Sequence, residues 1–301
     1  MKFGFVGLGQ MGAPMAINLS RENDVRIFDK KKKPMAELVN KGAQAVNTIE
    51  QFSDVNVLIL CLPNVETVQQ VLFNSEDGLT KYLKKGTIVI DTSTSDYSAT
   101  LNIANELNKL KIDFLDAPVS GMRHRAQNGT LSMMVGGDSK ILKVVEPALS
   151  TIASKIIFMG ASGSGQLTKL INQLLFDINM AGLAEILPMS RKLGLDPEQV
   201  TEIINSGTGR SYASEFFLPN IIRGDFEKGY PMQAAYKDLI SGANISSQQK
   251  IPTPVLAAAT TNYQKALQEG HGTKDKGAMI LVYERLLKVA FRASGKINKN
   301  L

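Results

Sequence analysis

Short apolar runs and amphipathic segments alternate along the first half of the chain. The apolar runs are rich in β-branched residues, which is typical of strands. They comprise residues 3–6, 25–28, 57–62, 87–90, 112–115, 131–135 and 156–158. Helical periodicity occupies several of the intervals, at residues 13–20, 34–41 and 66–73. This alternation predicts βαβ units and a mostly parallel, doubly wound sheet.

The pattern changes at a stretch rich in glycine and serine, residues 160–165. Beyond it the chain shows long helical periods and almost no strand-like alternation. We therefore expect an α/β domain over residues 1–162 and an all-helical domain over residues 163–301. Residues 166–193 are predicted to form one long helix, with an apolar face that packs against the helical domain and also suits a partner chain. That face comprises Leu170, Ile171, Leu174, Leu175 and Ile178.

Composition narrows the class of protein. With 44% hydrophobic and 21% charged residues, the 301-residue chain is ordinary for a globular protein and long enough for two cores. Its formal charge of +6 is scattered, apart from the lysine run 30–33, and no basic stripe is interleaved with aromatic residues. This distribution does not favour nucleic acid and suits a small anionic substrate or cofactor.

Cysteine and histidine offer little chemistry. Cys61, the only cysteine, lies in an apolar run and is interpreted as a buried strand residue, so a disulfide is excluded. His124 and His271 have no metal-ligand spacing around them, so we expect no metal site. No uninterrupted apolar run reaches the roughly 18 residues that cross a bilayer. Because strand-like residues begin at the first position, we expect a cytoplasmic protein without a membrane segment.

A glycine motif lies at the first junction between a strand and a helix. Gly7, Gly9 and Gly12 have GxGxxG spacing, with Gln10 and Met11 completing the turn. Such glycines permit a tight turn, a close approach of the backbone to a pyrophosphate, and close contact between helix and strand. The helix that follows offers unpaired N–H groups to the phosphates. The motif therefore predicts a Rossmann-type dinucleotide site.

An acid at the end of the second predicted strand supports this prediction. Asp29 lies 22 residues after Gly7, close to the spacing of about 20 expected for a carboxylate that binds the ribose hydroxyls. Such a carboxylate repels a 2′-phosphate, which favours NAD over NADP. The adjacent lysines 30–33 leave NADP as an alternative, because cations there would hold that phosphate.

Residues 5–19, FVGLGQMGAPMAINL, resemble the N-terminal signature of the β-hydroxyacid dehydrogenase family, which includes 3-hydroxyisobutyrate dehydrogenases and tartronate semialdehyde reductases. Leu62 and Pro63 resemble its LP element beside the cofactor. Residues 91–94, DTST, resemble its DxST element, which implies that Thr94 contacts the nicotinamide end. By spacing alone, Ser93 and Thr94 would be ordinary turn or cap residues.

Hydride transfer also needs a group that handles the proton of the substrate oxygen. Lys169 lies on the predicted long helix, and the pattern alone favours a surface lysine over a catalytic one. Residues 163–173, GSGQLTKLINQ, resemble the glycine-led catalytic helix of the family. The resemblance implies that Lys169 is the catalytic lysine and that Asn172 is the first of two substrate-facing asparagines. Gln173 replaces the second of them.

Residues 116–131, DAPVSGMRHRAQNGTL, resemble the substrate loop of the family. The resemblance implies that Ser120 and the N–H groups after it, at Gly121 and Met122, bind a carboxylate. Met122 and Arg125 replace two family glycines. A methionine with positive φ costs about 1–2 kcal/mol, so we expect the loop to follow a different path.

Residues 123–125, RHR, then have two possible roles. Their cationic side chains either hold a second anionic group of the substrate or point into solvent. Further along, Lys237 resembles the lysine of the family's KD element, which reaches the cofactor. Asp238 and Asp275 are interpreted as helix-surface or capping acids.

The resemblance as a whole implies an NAD-linked 3-hydroxy-acid dehydrogenase, similar to 3-hydroxyisobutyrate dehydrogenase, that acts in either direction as a dimer or tetramer. One alternative is a related semialdehyde or imine reductase with an altered pocket, although an imine reductase is expected to lack Lys169. The other is a nucleotide-binding module without catalysis, which the presence of Lys169 and Asn172 disfavours.

Overall fold

The computed structural model describes residues 1–227 and 229–293. The chain forms two compact units, Met1–Lys169 and Leu170–Leu301. The division falls within Ser164–Lys192, which is one helix. The expected domain bounds, residues 1–162 and 163–301, stay a prediction.

The first unit contains strands and helices in alternation, and each of the seven strands and three helices predicted from the sequence overlaps an observed one. Its strands are β1 Lys2–Val6, β2 Asp24–Phe28, β3 Gln44–Ala45, β4 Val57–Leu60, β5 Ile88–Asp91, β6 Asp113–Asp116, β7 Val119–Ser120, β8 Leu131–Gly137 and β9 Ala153–Gly160. Its helices are α1 Gly12–Ser20, α2 Lys32–Val39, α3 Val65–Phe73, α4 Tyr97–Lys109, α5 Met122–Gln127 and α6 Ser139–Leu149, and α7 Ser164–Lys192 begins in this unit. Short 3-10 helices cover Ile49–Phe52 and Leu79–Lys81. The sequence missed β3 and β7, which have two residues each.

The strands form one sheet in the order β3-β2-β1-β4-β5-β6-β8-β7, with β9 paired to β8. Strands β1 to β6 are parallel to one another, while β8 is antiparallel to β6 and β7 and parallel to β9. The strand order reverses between β1 and β4, and ligands of doubly wound sheets bind at such a switch point. The predicted doubly wound fold is confirmed, and it brings the loops after β1, β4 and β5 side by side.

Both faces of the sheet are covered, which explains why its strands are continuous apolar runs rather than alternating ones. In β4, Val57 and Ile59 belong to a core that includes buried residues of α1. Leu58 and Leu60 belong to a second core, on the opposite face, with buried residues of α3 and α4. Because successive side chains of a strand point to opposite faces, four consecutive apolar residues fill both cores.

The second unit is helical in its described part, as predicted. Helix α7 continues into it and is followed by α8 Pro197–Ser206, α9 Tyr212–Ile221, α10 Met232–Gln248, α11 Pro254–Gln268 and α12 Ile280–Leu287. A 3-10 helix covers Lys276–Met279. Local chemistry sets the start of α8, since the Asp196 carboxylate accepts the N–H groups of Glu198 and Gln199 at 3.0 and 3.1 Å.

The apolar face predicted for the start of α7 is only partly buried. Leu174 and Ile178 pack against the core of the second unit, but Ile171 and Leu175 are 53% and 59% exposed. The prediction was wrong for these two residues. The buried stripe of α7 runs through Asp177, and Leu175 lies about 160° away from it, on nearly the opposite face of the helix. The expected dimer or tetramer stays a prediction.

A buried ion pair ties α7 to the rest of the second unit. The Asp177 carboxylate accepts hydrogen bonds from the Lys276 ammonium and, at 3.2 Å, from the Tyr263 hydroxyl. Both charged side chains are fully buried, and the ammonium lies 4.3 Å from the centre of the Phe176 ring. Burial raises the pKa of Asp177 to about 6, while the Lys276 ammonium acts in the opposite direction, so the carboxylate is charged at neutral pH.

Among the described residues, α7 is also the helix that is long and apolar enough to cross a membrane, with a window of mean hydropathy 1.3. Length and composition alone do not distinguish a membrane span from a core helix. Met180, Ala184 and Leu187 of α7 are buried among the helices of the second unit, and Asp177 forms its ion pair there. These contacts bury part of α7, and 28% of the apolar window is buried inside the structure.

Lys276→Met is expected to destabilise the protein by about 3 kcal/mol or more, because it leaves the Asp177 charge buried without a counter-charge. The loss of stability should be smaller at pH 5 than at pH 8, because at pH 5 Asp177 takes up a proton in the folded state. Chemical denaturation at both pH values measures this. Combining Lys276→Met with Asp177→Asn should recover part of the stability. A Lys276→Met protein that is as stable as the wild type at pH 8 would contradict this explanation.

Candidate active site

The glycine motif forms the turn between β1 and α1. Gly7 has a φ of +97°, and a Cβ at this position would lie 2.3 Å from the Cys61 carbonyl oxygen. A Cβ on Gly12 would lie 2.0 Å from the Gly7 carbonyl oxygen. Both positions therefore require glycine. At Gly9, by contrast, no heavy atom of the described residues lies within 4 Å of an added Cβ, so the backbone there is open to a pyrophosphate.

Asp29 follows β2 and holds the glycine turn. One carboxylate oxygen accepts the Leu8 N–H and the other accepts the Lys31 N–H, both at 2.7 Å. A carboxylate has about four lone-pair sites, so acceptor positions remain for ribose hydroxyls. The lysines 30–33 are exposed, and two of them begin α2. Together with the open backbone at Gly9, this arrangement fits a dinucleotide at the predicted position.

The loops after β4 and β5 are tied to each other. The Leu62 N–H donates to the Ser93 hydroxyl at 2.8 Å. Asp91, the last residue of β5, accepts the Ser93 N–H at 2.9 Å and the Ser95 hydroxyl at 3.2 Å. Ser93 is buried, whereas Thr94 is exposed. Pro63, next to Leu62, is exposed as well.

A second buried acid, Asp116, ends β6 and pairs in register with Asp91. Its two carboxylate oxygens accept the N–H groups of Gly163 and Gln166 at 2.7 and 2.9 Å, which attaches the start of α7 to the sheet. Burial raises the pKa of Asp116 to about 6, and the two N–H groups act against that rise. The Asp116 carboxylate is therefore charged at neutral pH. Its negative charge interacts favourably with the positive end of the α7 dipole.

Sequence reasoning assigned no role to Asp116 or to Gln166. The available signal was an aspartate directly after each of two consecutive predicted strands, residues 87–90 and 112–115. Acids are rare in runs that are buried on both faces, and each must find N–H or O–H donors.

Lys169 lies one turn after Gln166 and is only 9% exposed. It is the last residue of the first unit. Asn172, Gln173 and Lys237 belong to the second unit, where Asn172 and Lys237 are exposed. The Gln173 amide donates to the Asp238 carboxylate at 3.5 Å. The roles expected for these residues stay predictions. Asp275 caps the 3-10 helix that follows it by accepting the Gly277 N–H at 2.8 Å, as one of the two interpretations had it.

The substrate loop departs from the expectation at Met122. Ser120 ends β7, Gly121 has a φ of +139°, and Met122 has a φ of +59°. The expectation that the loop avoids the left-handed region was therefore wrong. Both sides of the turn are constrained, because Ser120 pairs with Ser132 of β8 and α5 begins at Met122 itself. The chain accepts the local strain at Met122.

Arg125 covers this turn. A Cβ on Gly121 would lie 2.9 Å from Cδ of Arg125 and 3.0 Å from its Cβ, so the stem of Arg125 packs on Gly121, next to Ser120. Arg123 and His124 are exposed, whereas Arg125 is half-buried. Of these three residues, Arg125 is thus the one held close to the predicted carboxylate site.

Other chemistries have little support among the described residues. Burial raises the pKa of the Cys61 thiol to about 11, so Cys61 is not a thiolate at neutral pH. Within residues 1–227 and 229–293, no three His, Cys, Asp or Glu side chains form a group that would hold a metal ion.

Comparison with known proteins agrees with this geometry. Residues 2–160 match the family described as the NAD binding domain of 6-phosphogluconate dehydrogenase. Residues 163–283 match the family described as NAD-binding of NADP-dependent 3-hydroxyisobutyrate dehydrogenase. The chain is 38% identical over 293 residues to 2-(hydroxymethyl)glutarate dehydrogenase of Eubacterium barkeri, a match that covers 96% of this chain and 97% of the relative.

Two further relatives extend the comparison. The chain is 32% identical to 2-hydroxy-3-oxopropionate reductase of Escherichia coli K12, over 94% of this chain and 97% of that enzyme. The fold is similar to a crystal structure of a 3-hydroxyisobutyrate dehydrogenase from Salmonella typhimurium, with a TM-score of 0.85, 28% identity, and coverage of 94% and 99% of the two chains. The chain therefore belongs to the β-hydroxyacid dehydrogenase family, and it is an oxidoreductase that transfers a hydride between a nicotinamide cofactor and a small 3-hydroxy acid or the matching semialdehyde.

Proposed function

We propose that this enzyme uses NAD to oxidise a 3-hydroxy acid that carries a second carboxylate. The observation that carries the proposal is the position of Arg125, whose stem packs on Gly121 beside Ser120. The relative from Eubacterium barkeri is named for such a compound, since 2-(hydroxymethyl)glutarate has two carboxylates and a hydroxyl in the 3-position.

The first carboxylate is assigned to the turn after β7. The Ser120 hydroxyl and the N–H groups of Gly121 and Met122 offer donors of the kind that form anion nests. The second carboxylate is assigned to Arg125, one helical turn further along α5. A guanidinium presents paired N–H donors that match a carboxylate, and the contact with Gly121 holds its stem close to the first site.

Lys169 is assigned the role of proton acceptor in the oxidation. In the oxidation, the O–H proton of the substrate passes to the Nζ atom of Lys169, the C–H bond of the same carbon breaks with its electron pair, and a C=O bond forms. The bound nicotinamide supplies the acceptor for that electron pair as hydride. Reduction of the semialdehyde reverses each step. Lys169 is little exposed. Asn172, one turn later, orients Lys169 or the substrate, and Gln173 contacts the substrate.

The cofactor is assigned to the switch point of the sheet, where Asp29 selects NAD. Its carboxylate is assigned to the ribose hydroxyls, and it also anchors the glycine turn by accepting the Leu8 N–H. NADP remains a candidate on one observation, the exposed lysines 30–33 beside Asp29. The residues assigned to the cofactor are Gly7, Gly9, Gln10, Met11, Gly12, Asp29, Leu62, Pro63, Thr94 and Lys237.

Lys169→Ala is expected to lower kcat by roughly 10²-fold or more, because the proton then has no positioned acceptor. Binding of NADH, measured by fluorescence titration, should change little. Lys192→Ala, an exposed lysine at the end of the same helix, is the matched control and should retain wild-type turnover. An Lys169→Ala enzyme with near wild-type kcat would remove Lys169 from the mechanism.

Asp29→Asn is expected to reduce the preference for NAD over NADP by roughly tenfold, since repulsion of the 2′-phosphate disappears while an oxygen remains for the Leu8 N–H. The ratio of kcat/KM for the two coenzymes measures this effect. Asp24→Asn, at the exposed start of the same strand, should leave the ratio unchanged. A wild-type enzyme that prefers NADP would show that the lysine run outweighs Asp29.

Arg125→Met, which keeps a stem over Gly121 and removes the guanidinium, is expected to lower kcat/KM for 2-(hydroxymethyl)glutarate roughly 10- to 100-fold. Turnover of 3-hydroxyisobutyrate, which has one carboxylate, should be spared. Arg123→Met should have a smaller effect, because Arg123 is exposed. If the wild type prefers 3-hydroxyisobutyrate, or if Arg125→Met leaves the ranking of the two substrates unchanged, the second carboxylate site does not exist.

A further inference from the structure

The loop after β5 and the first turn of α7 share one side chain. Gln166 is 2% exposed. Its amide nitrogen donates to the Ser93 carbonyl oxygen at 2.7 Å, and its amide oxygen accepts the Ser95 N–H at 3.0 Å. Both ends of the amide are therefore used, and they bind the backbone on either side of Thr94. The backbone of that loop has its position set by a residue 71 positions further along the chain.

The same turn of α7 is attached to the neighbouring strand. The Gln166 N–H donates to Asp116 at 2.9 Å, and the Gly163 N–H donates to the other oxygen of that carboxylate. The helix is thus fixed at its start by its backbone, to the end of β6, and by a side chain, to the loop after β5. The side-chain link is the one that a single substitution removes without disturbing the cap.

Lys169 follows Gln166 by three residues, a spacing that places two side chains on neighbouring positions of one helix face. The bonds of Gln166 therefore determine where the backbone of Lys169 stands relative to the Thr94 loop. A small displacement of a reacting group is enough to lower a rate strongly, since about 1 Å can cost 10²-fold. A side chain that only filled buried space would need neither the N–H donor nor the oxygen acceptor of an amide.

We propose that Gln166 is a positioning residue, which holds Lys169 in register with the loop that carries Thr94. The inference rests on the proposed role of Lys169 as the group that handles the proton. Gln166 itself does not exchange a proton with the substrate. Its effect on catalysis passes through Lys169, and this distinguishes it from a residue that merely stabilises the fold.

The first test is a double-mutant cycle with Gln166→Met and Lys169→Ala. Gln166→Met should lower kcat roughly 10- to 100-fold, with KM within about threefold of the wild type, since a positioning loss falls on the chemical step. In the Lys169→Ala background, Gln166→Met should cause no further loss of kcat. Gln166→Glu, which keeps the acceptor for Ser95 and loses the donor to Ser93, provides a second variant if the methionine variant folds poorly.

The second test needs neither cofactor nor turnover. Hydrogen exchange of the Ser95 amide, measured by mass spectrometry on the protein without ligands, should accelerate at least tenfold in Gln166→Met. The matched control is Thr100→Val in α4, which removes a buried hydrogen bond to the Asp96 carbonyl oxygen at 2.8 Å. Thr100→Val should lower the melting temperature while leaving both kcat and Ser95 exchange at wild-type values.

Three outcomes would overturn the proposal. The first is an unchanged kcat in both Gln166 variants. The second is a double variant whose loss of kcat equals the product of the separate losses from Gln166→Met and Lys169→Ala. The third is unchanged hydrogen exchange of the Ser95 amide. A Lys169→Ala enzyme that keeps its turnover is a different failure, because it removes the proposed role of Lys169 whatever the behaviour of Gln166.

Discussion

Two buried carboxylates at neighbouring strand ends impose the arrangement on which the rest of the site depends. Asp91 and Asp116 are paired in register at the carboxyl edge of the sheet, and neither is exposed. A buried polar group is tolerated only where hydrogen-bond partners surround it. Asp91 obtains them from the loop that follows it, and Asp116 obtains them from the start of α7. The need to satisfy these two buried carboxyl groups thus shapes both the loop that bears Thr94 and the helix that bears Lys169.

The fold was largely predictable because its main signals are local. Strands buried on both faces appear as continuous apolar runs, and the glycine turn and Asp29 are recognised by spacing alone. Strands β3 and β7 were missed because two residues carry no periodicity. The exposure of Ile171 and Leu175 was missed for another reason. Periodicity shows that a helix has an apolar face, but the rotation of α7 is set by the neighbours of Asp177, which are distant in sequence.

The candidate site was less predictable than the fold, because its decisive contacts are long-range. Gln166 meets Ser93 and Ser95 across more than 70 residues, and Lys276 meets Asp177 across 99. No spacing rule links such positions. The prediction for the backbone at Met122 was wrong for a different reason. The steric argument against a left-handed methionine is sound, but strand β7 and helix α5 leave the turn no alternative, so the surrounding structure overrides a local preference.

The cap on α7 has a consequence for how the protein is made. The amino end of the chain leaves the ribosome first, so Asp116 emerges well before its two N–H partners. These partners follow 47 and 50 residues later in the sequence. Until they appear, the nascent sheet carries a carboxylate that still needs water. The nucleotide-binding unit therefore matures only after translation has passed into the helix that it shares with the next unit, although domains often fold in the order of their synthesis.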